Sequence, residues 1–208
     1  MDKKADIRTS MKELFAQMDE AFFMDVEENV PIEMRDGNVD EEGWIKWKPL
    51  PSQITEQEIR EMEEKYHFEL PPLLRSFIMS YHYVSLQFDN ESIPGVYWSD
   101  CTFVEFPRLP VGQGLKAFYD LLDQWSPLLS AGYIPFAIAE DDQGPVCLNA
   151  GSRHKDGDYP IVWFFHEDLQ HLNEDGLRIR SNLLPHVQGL FPSSVEMFNV
   201  MFKHIRHL

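Results

Sequence analysis

The chain reads as an α+β fold, a mainly antiparallel sheet of short strands flanked by helices. Three observations predict this. Apolar residues recur at helical spacing near both ends. The stretch ITEQEIREMEEKY opens with a helix-start signal. In IPFAIAEDDQGPVCLN, two short β runs flank Asp141, Asp142, Gln143 and Gly144, which is hairpin punctuation.

Ile7 to Phe23 is expected to be an amphipathic helix, with Ile7, Met11, Leu14, Phe15, Met18 and Phe22 on one face. Asp25 to Glu42 follows as an acidic loop, with Pro31 and Asp36-Gly37-Asn38 as turn signals and a short hairpin around Gly37 as the alternative. Thr55 is the expected N-cap of the next helix. Glu58 lies three residues on, so each side chain can take the other's backbone N–H, and Ile54 and Ile59 are spaced as a hydrophobic staple. Ile59, Met62 and Tyr66 make its buried stripe, with Glu56, Glu61, Glu63 and Glu64 pointing outward. Pro71 and Pro72 end this helix and open another, which turns Leu73, Leu74, Phe77, Ile78 and Tyr81 inward.

Val96 to Trp98 and Thr102 to Phe106 read as strands, and Pro107 and Pro110 close the second. Leu115 to Trp125 returns to helical period. Ile134 to Ala139 and Val146 to Asn149 form the hairpin, and Ile161 to Phe165 is a strand too apolar to be exposed on either face. Ser193 and Glu196 are spaced as a second capping box. They open a C-terminal helix with Val195, Phe198, Met201, Phe202 and Ile205 inward. The organisation is therefore an N-terminal helix and acidic extension over residues 1–43, followed by one domain over residues 44–208.

The composition is that of a globular chain, 43% hydrophobic with 15 Phe and 5 Trp. There are 35 acidic against 18 basic residues, a formal charge of −17. This argues against phosphate-backbone binding, which needs clustered Lys and Arg, so no nucleic-acid partner is expected. It argues equally against an anionic membrane surface, so no membrane partner is expected. The charge is concentrated: residues 19–64 hold fifteen acids against Arg35, Lys46, Lys48 and Arg60, a local charge of −11. Such a field steers cationic partners, although acidic surfaces also serve solubility alone.

Cys101 and Cys147 sit in strand-like apolar sequence, where a buried free thiol is the usual state. The N-terminal residues lack the apolar run of a signal peptide, and no apolar stretch is long enough to span a bilayer. A cytoplasmic location is the default expectation.

The order of motifs resembles a known family. A Trp (Trp44 or Trp47) and a Pro precede ITEQEI and an acidic helix. LPP and an aromatic, apolar helix follow, then IPFAIAEDDQGPVCLN, then an apolar strand ending WFFHED. This is similar to the SUKH superfamily, also called the Smi/Knr family, over roughly Trp44 to Asp168. The chain departs from the pattern at Tyr81, His82 and Tyr83, where members often place Asn-Gly. It departs again at Gln143, Gly144 and Pro145, where members often carry Gly-Asp. The resemblance implies an α+β domain without catalytic activity. Bacterial members are mostly immunity proteins that bind a cognate toxin, often a nuclease, and eukaryotic members are regulatory or scaffold modules.

Candidate chemistry is sparse. Glu140, Asp141 and Asp142 are either a carboxylate cluster or ordinary turn acids, and their spacing is not that of an EF-hand. His166 and Glu167 precede His171 one residue too late for the zinc motif H-E-x-x-H, and His154 adds no pattern. His204 and His207 suit the negative end of the last helix. Gly112, Gln113 and Gly114 lack the rest of a dinucleotide fingerprint. No nucleophile elbow is present, and Cys147 has no cationic setting. No catalytic residue, metal ligand or cofactor is therefore assigned.

The expected function is an immunity-type binding protein that neutralises a basic, nuclease-like toxin. The alternative is a non-catalytic regulatory or scaffold module. The candidate partner-binding residues are Glu27, Glu28, Asp40, Glu41, Glu42, Glu140, Asp141 and Asp142, with Trp47 as aromatic anchor. The competing reading of both Trp44 and Trp47 is core material. Oligomeric state is not legible in the sequence.

Overall fold

A computed structural model describes residues 3–18, 23–89, 103–139 and 144–202. In chain order the elements are α1 (Lys3–Gln17), β1 (Met24–Val26), β2 (Trp44–Lys46), β3 (Leu50–Pro51), α2 (Glu56–Tyr66), α3 (Pro72–Ile78), β4 (Tyr81–His82), β5 (Gln87–Asp89) and β6 (Phe103–Glu105). They continue with α4 (Lys116–Gln124), α5 (Ser126–Ser130), β7 (Tyr133–Ala139), β8 (Gly144–Asn149), β9 (Ile161–Trp163), α6 (His166–Leu169), α7 (Glu174–Leu177), α8 (Arg180–Leu183), β10 (Gln188–Phe191) and α9 (Ser194–Met201).

The central sheet has six strands in the order β10-β9-β8-β7-β6-β5, and every pairing is antiparallel. The fold is α+β, as the sequence predicts. Period-two alternation splits the sheet's side chains between two cores. Ile134, Phe136, Val146, Leu148, Ile161 and Trp163 join the main core with residues of α1, α2, α3, α4 and α9. Tyr133, Cys147, Val162 and Phe164 face the other way, against Leu128, Leu169 and Leu183 of the short helices α5, α6 and α8. Because both faces are covered, β7 to β9 are almost uniformly buried and apolar. No helix among the described residues is long and apolar enough to cross a membrane.

Gly144 starts β8 for a steric reason. Its φ is +148°, and a Cβ there would lie 1.9 Å from the carbonyl oxygen of Phe164. Only glycine permits that approach.

Local signals placed α2 correctly. Thr55 Oγ1 accepts from the Glu58 backbone N–H at 3.2 Å, and Glu58 Oε2 accepts from Thr55 N–H at 2.7 Å. Ile54 and Ile59 are both buried. Glu63 overturns the outward expectation. It is 7% exposed, and its carboxylate is held by the Leu70 backbone N–H and by Arg75 of α3. A helical wheel marks it polar, but the α3 side of α2 supplies it with donors.

Other boundaries moved as well. The first helix ends at Gln17, and Phe23 instead leads into β1, packed on Trp47 with ring centroids 5.0 Å apart. Phe22 lies outside the described residues, as do the expected strand Val96 to Trp98, Cys101, Ile205, His204 and His207. Val195 is 44% exposed, because the buried stripe of α9 is Ser194, Met197, Phe198 and Met201 at helical spacing. β10 was not foreseen. It is a short edge strand, interrupted by Gly189 and flanked by Pro185 and Pro192, with little periodic signal.

The first 43 residues share the core of the rest. Ile7, Met11, Leu14, Phe15, Phe23, Val30 and Met34 belong to the main cluster, and α1 packs on α3. The sequence division at residue 43 also falls inside a strand pair, since β1 lies antiparallel to β2.

Candidate functional site: the acidic β1–β2 unit

Residues 24–48 are not the loop that their acidity suggests. β1 pairs with β2 in the register Met24 with Lys46, Asp25 with Ile45 and Val26 with Trp44. Two single-turn 3-10 helices, Glu27–Asn29 and Ile32–Met34, connect outward from β1. The returning chain runs along the other side of β2. There, Asp36 N–H donates to Lys46 O, Asp40 N–H donates to Trp44 O, and Arg35 bridges Trp47. An acid-rich segment folds here because its few apolar side chains at inward positions, Val30, Met34, Ile45 and Trp47, are buried in the core.

Several acids are spent on holding this unit together. Asp25 is 8% exposed. Its Oδ1 accepts from Val26 N–H and Asn29 Nδ2, each at 2.8 Å, and its Oδ2 lies 3.6 Å from Arg108 in the chain after β6. Glu27 pairs with Arg35, which also donates to Val30 O at 3.0 Å and Glu27 O at 3.2 Å. Asp40 Oδ1 accepts from Glu42 N–H at 3.0 Å and Trp44 N–H at 2.8 Å, an Asx turn that fixes the loop into β2.

The remaining acids project to solvent. Glu28, Glu41 and Glu42 are exposed and have no ion-pair partner among the described residues, and the same holds for Glu33 and Asp36. Eight acids against Arg35 alone between residues 25 and 42 leave the unit strongly negative.

Strand parity decides which tryptophan faces outward. Ile45 and Trp47 share the inner face, and Trp44 and Lys46 the outer one. Trp47 is 0% exposed, between Phe15 and Phe23. The sequence expectation of Trp47 as surface anchor is therefore corrected: it is core. Trp44 is 42% exposed, and its cross-strand partner Val26 is 37% exposed. Val39 (38%) adjoins the Asp40 turn onto Trp44, and Ile32 (79%) tops one 3-10 turn. Sequence reasoning missed Val26, Ile32 and Val39. The available signal was the presence of apolar residues at outward positions between consecutive acids.

Glu140, Asp141 and Asp142 connect β7 to β8 and lie outside the described residues. His166 opens α6, while His154 and His171 are exposed elsewhere. Among the described residues no group of three or more His, Cys, Asp or Glu side chains is gathered to hold a metal ion. Burial pushes the Cys147 thiol well above its ordinary value, so it is protonated and inert at neutral pH.

A groove of about 620 Å³ lies between the end of α2 and β7, lined among others by Arg60, Tyr66, His67, Phe68, Arg153 and Tyr159. Its polar groups are largely engaged. Arg153 pairs with Glu69 at 2.6 Å and covers the Tyr159 ring, and Tyr159 Oη donates to Glu69 O at 2.9 Å. That leaves the acidic unit as the stronger candidate surface.

No protein of curated function matches the chain. The α+β core carrying the capped helix α2, the groove and the β7–β8 hairpin corresponds to residues 53–182, and these match the SMI1 / KNR4 family (SUKH-1), to which the chain belongs.

Proposed function

We propose that the chain is an immunity-type binding protein that neutralises a cognate basic, nuclease-like toxin by direct binding, without catalysis of its own. Membership of the SUKH-1 family supports the class. The observation that carries the specific reading is the β1–β2 unit. It presents Glu28, Glu41 and Glu42 to solvent without ion-pair partners among the described residues, beside the exposed Trp44. Carboxylates so arranged compete for the cationic surface with which a nuclease holds phosphates, and steer the encounter.

The test is genetic. An immunity gene sits beside its toxin, so the toxic domain encoded next to this gene is expressed with and without the chain. Survival only when the chain is present is the expected result. Unrelieved toxicity, or the lack of any toxin gene beside it, contradicts this reading and favours the regulatory module.

A further inference from the structure

We infer that the outer face of the β1–β2 pair is a docking surface, and that its occupant is a protein presenting an apolar knob ringed by Lys and Arg. This rests on the toxin-binding reading and deepens it by locating the surface. Val26 and Trp44 stand directly opposite each other in the register and are both more than a third exposed. Tryptophan is the side chain most enriched at the energetic centre of interfaces, where a polar rim excludes water from it. Here the rim is mainly acidic: Glu28 follows Val26 by two residues, and Glu41 and Glu42 precede Trp44, while Lys46 also lies on this outer face.

Of the seven exposed large apolar side chains among the described residues, Val26, Ile32, Val39 and Trp44 fall in this one segment. Val26 and Trp44 adjoin across the strand pair, and adjoining exposed apolar groups mark interaction sites where singly scattered ones do not. The charge selects the occupant. A second copy of this chain would set one acidic rim against another, which is unfavourable, whereas a basic rim complements it.

The surface is rigidly mounted. Ile45 and Trp47, on the inner face of the same short run, are 2% and 0% exposed, and Asp25 reaches Arg108. It also lies outside the matched residues 53–182, so the family domain acts as scaffold and the preceding segment reads the partner.

The experiment uses the full chain and two probes, a short synthetic amphipathic helix of leucine and lysine and the toxic domain encoded beside the gene. Trp44→Ser is the test variant, since its hydrogen bonds with Asp40 run through the backbone and survive the change. Val26→Ser is the second, and an unchanged melting temperature serves as the fold control. Expected is a hydrogen-exchange footprint of both probes over residues 24–46, with affinity lowered about thirtyfold or more by Trp44→Ser.

A footprint elsewhere, or unchanged affinity in both variants, overturns the inference. If the toxic domain binds Trp44→Ser as tightly as the parent, the immunity reading stands and the surface is wrong. If the peptide footprint falls on residues 24–46 but the toxic domain does not bind, the surface stands and the immunity reading is wrong. A Trp44-dependent dimer without either probe overturns the proposed occupant.

Discussion

One guanidinium nitrogen of Arg75, Nη2, donates to both carboxylate oxygens of Glu63, at 2.6 and 2.8 Å. The same carboxylate accepts the Leu70 backbone N–H at 2.8 Å, so it fastens α2, the following turn and α3 together. Arg75 also reaches Glu56 at 3.1 Å. Glu63→Ala removes the shared acceptor and leaves a buried backbone donor unmatched. The expected loss is about 2–3 kcal/mol, below that of a fully buried pair because Arg75 keeps Glu56 and some solvent. Urea unfolding measures it; a loss under about 0.5 kcal/mol would mean that the contact is incidental.

Asp158 performs the corresponding task for α9. It is 5% exposed, and its oxygens accept from Ser194 Oγ at 2.7 Å and from the backbone N–H groups of Ser194 and Val195 at 3.2 Å each. A buried carboxylate at a helix N-terminus satisfies donors that the helix cannot. Asp158→Ala is expected to cost about 2 kcal/mol. Hydrogen exchange in α9 should accelerate more than exchange in β8. Uniform acceleration across both would contradict local capping.

Alkaline pH should destabilise the fold through two buried groups. Burial raises the Cys147 thiol well above 9.0 and the Tyr83 hydroxyl well above 10.0. In the unfolded chain both ionise near those ordinary values, while the folded chain retains the protons. The stabilisation is therefore fully present below about pH 9 and declines as pH rises from there. Denaturant midpoints measured from pH 7 to pH 11 should fall, and a Cys147→Ala, Tyr83→Phe variant should fall less. At pH 8 a thiol reagent should modify Cys147 only on unfolding.

Reversing the charge at Glu41 and Glu42 to Lys should leave stability within about 0.5 kcal/mol, since both side chains are exposed. Association with a basic toxin should slow about tenfold at low salt, and less at high salt. Stopped-flow rates across ionic strength read this directly. Equal rates for parent and variant would remove the electrostatic part of the account.

The parts legible in the sequence were those fixed by local chemistry. Thr55 and Glu58 cap each other within one turn, and β7 and β8 pair antiparallel from two apolar runs close in sequence. What escaped depended on distant partners. Glu63 looks exposed on a helical wheel until Arg75, twelve positions on, is brought beside it. β1 and β2 are three residues each, too short for alternation to show within an acidic run.

The candidate site was legible as charge but not as geometry. Glu28, Glu41 and Glu42 are at the surface, whereas Glu27 is paired with Arg35 and Asp40 is held in a turn. The choice between Trp44 and Trp47 turned on parity: burial of Ile45 carries Trp47 inward with it and puts Trp44 out.

Toxin neutralisation is tested most directly by the affinity of the purified chain for the toxic domain encoded beside its gene, at low and at high salt, with the toxin's activity followed in the same titration. A nanomolar or tighter complex that weakens with salt is expected, with toxin activity vanishing at one equivalent of chain. A toxin that stays fully active with excess chain, or that binds without any salt dependence, would contradict it.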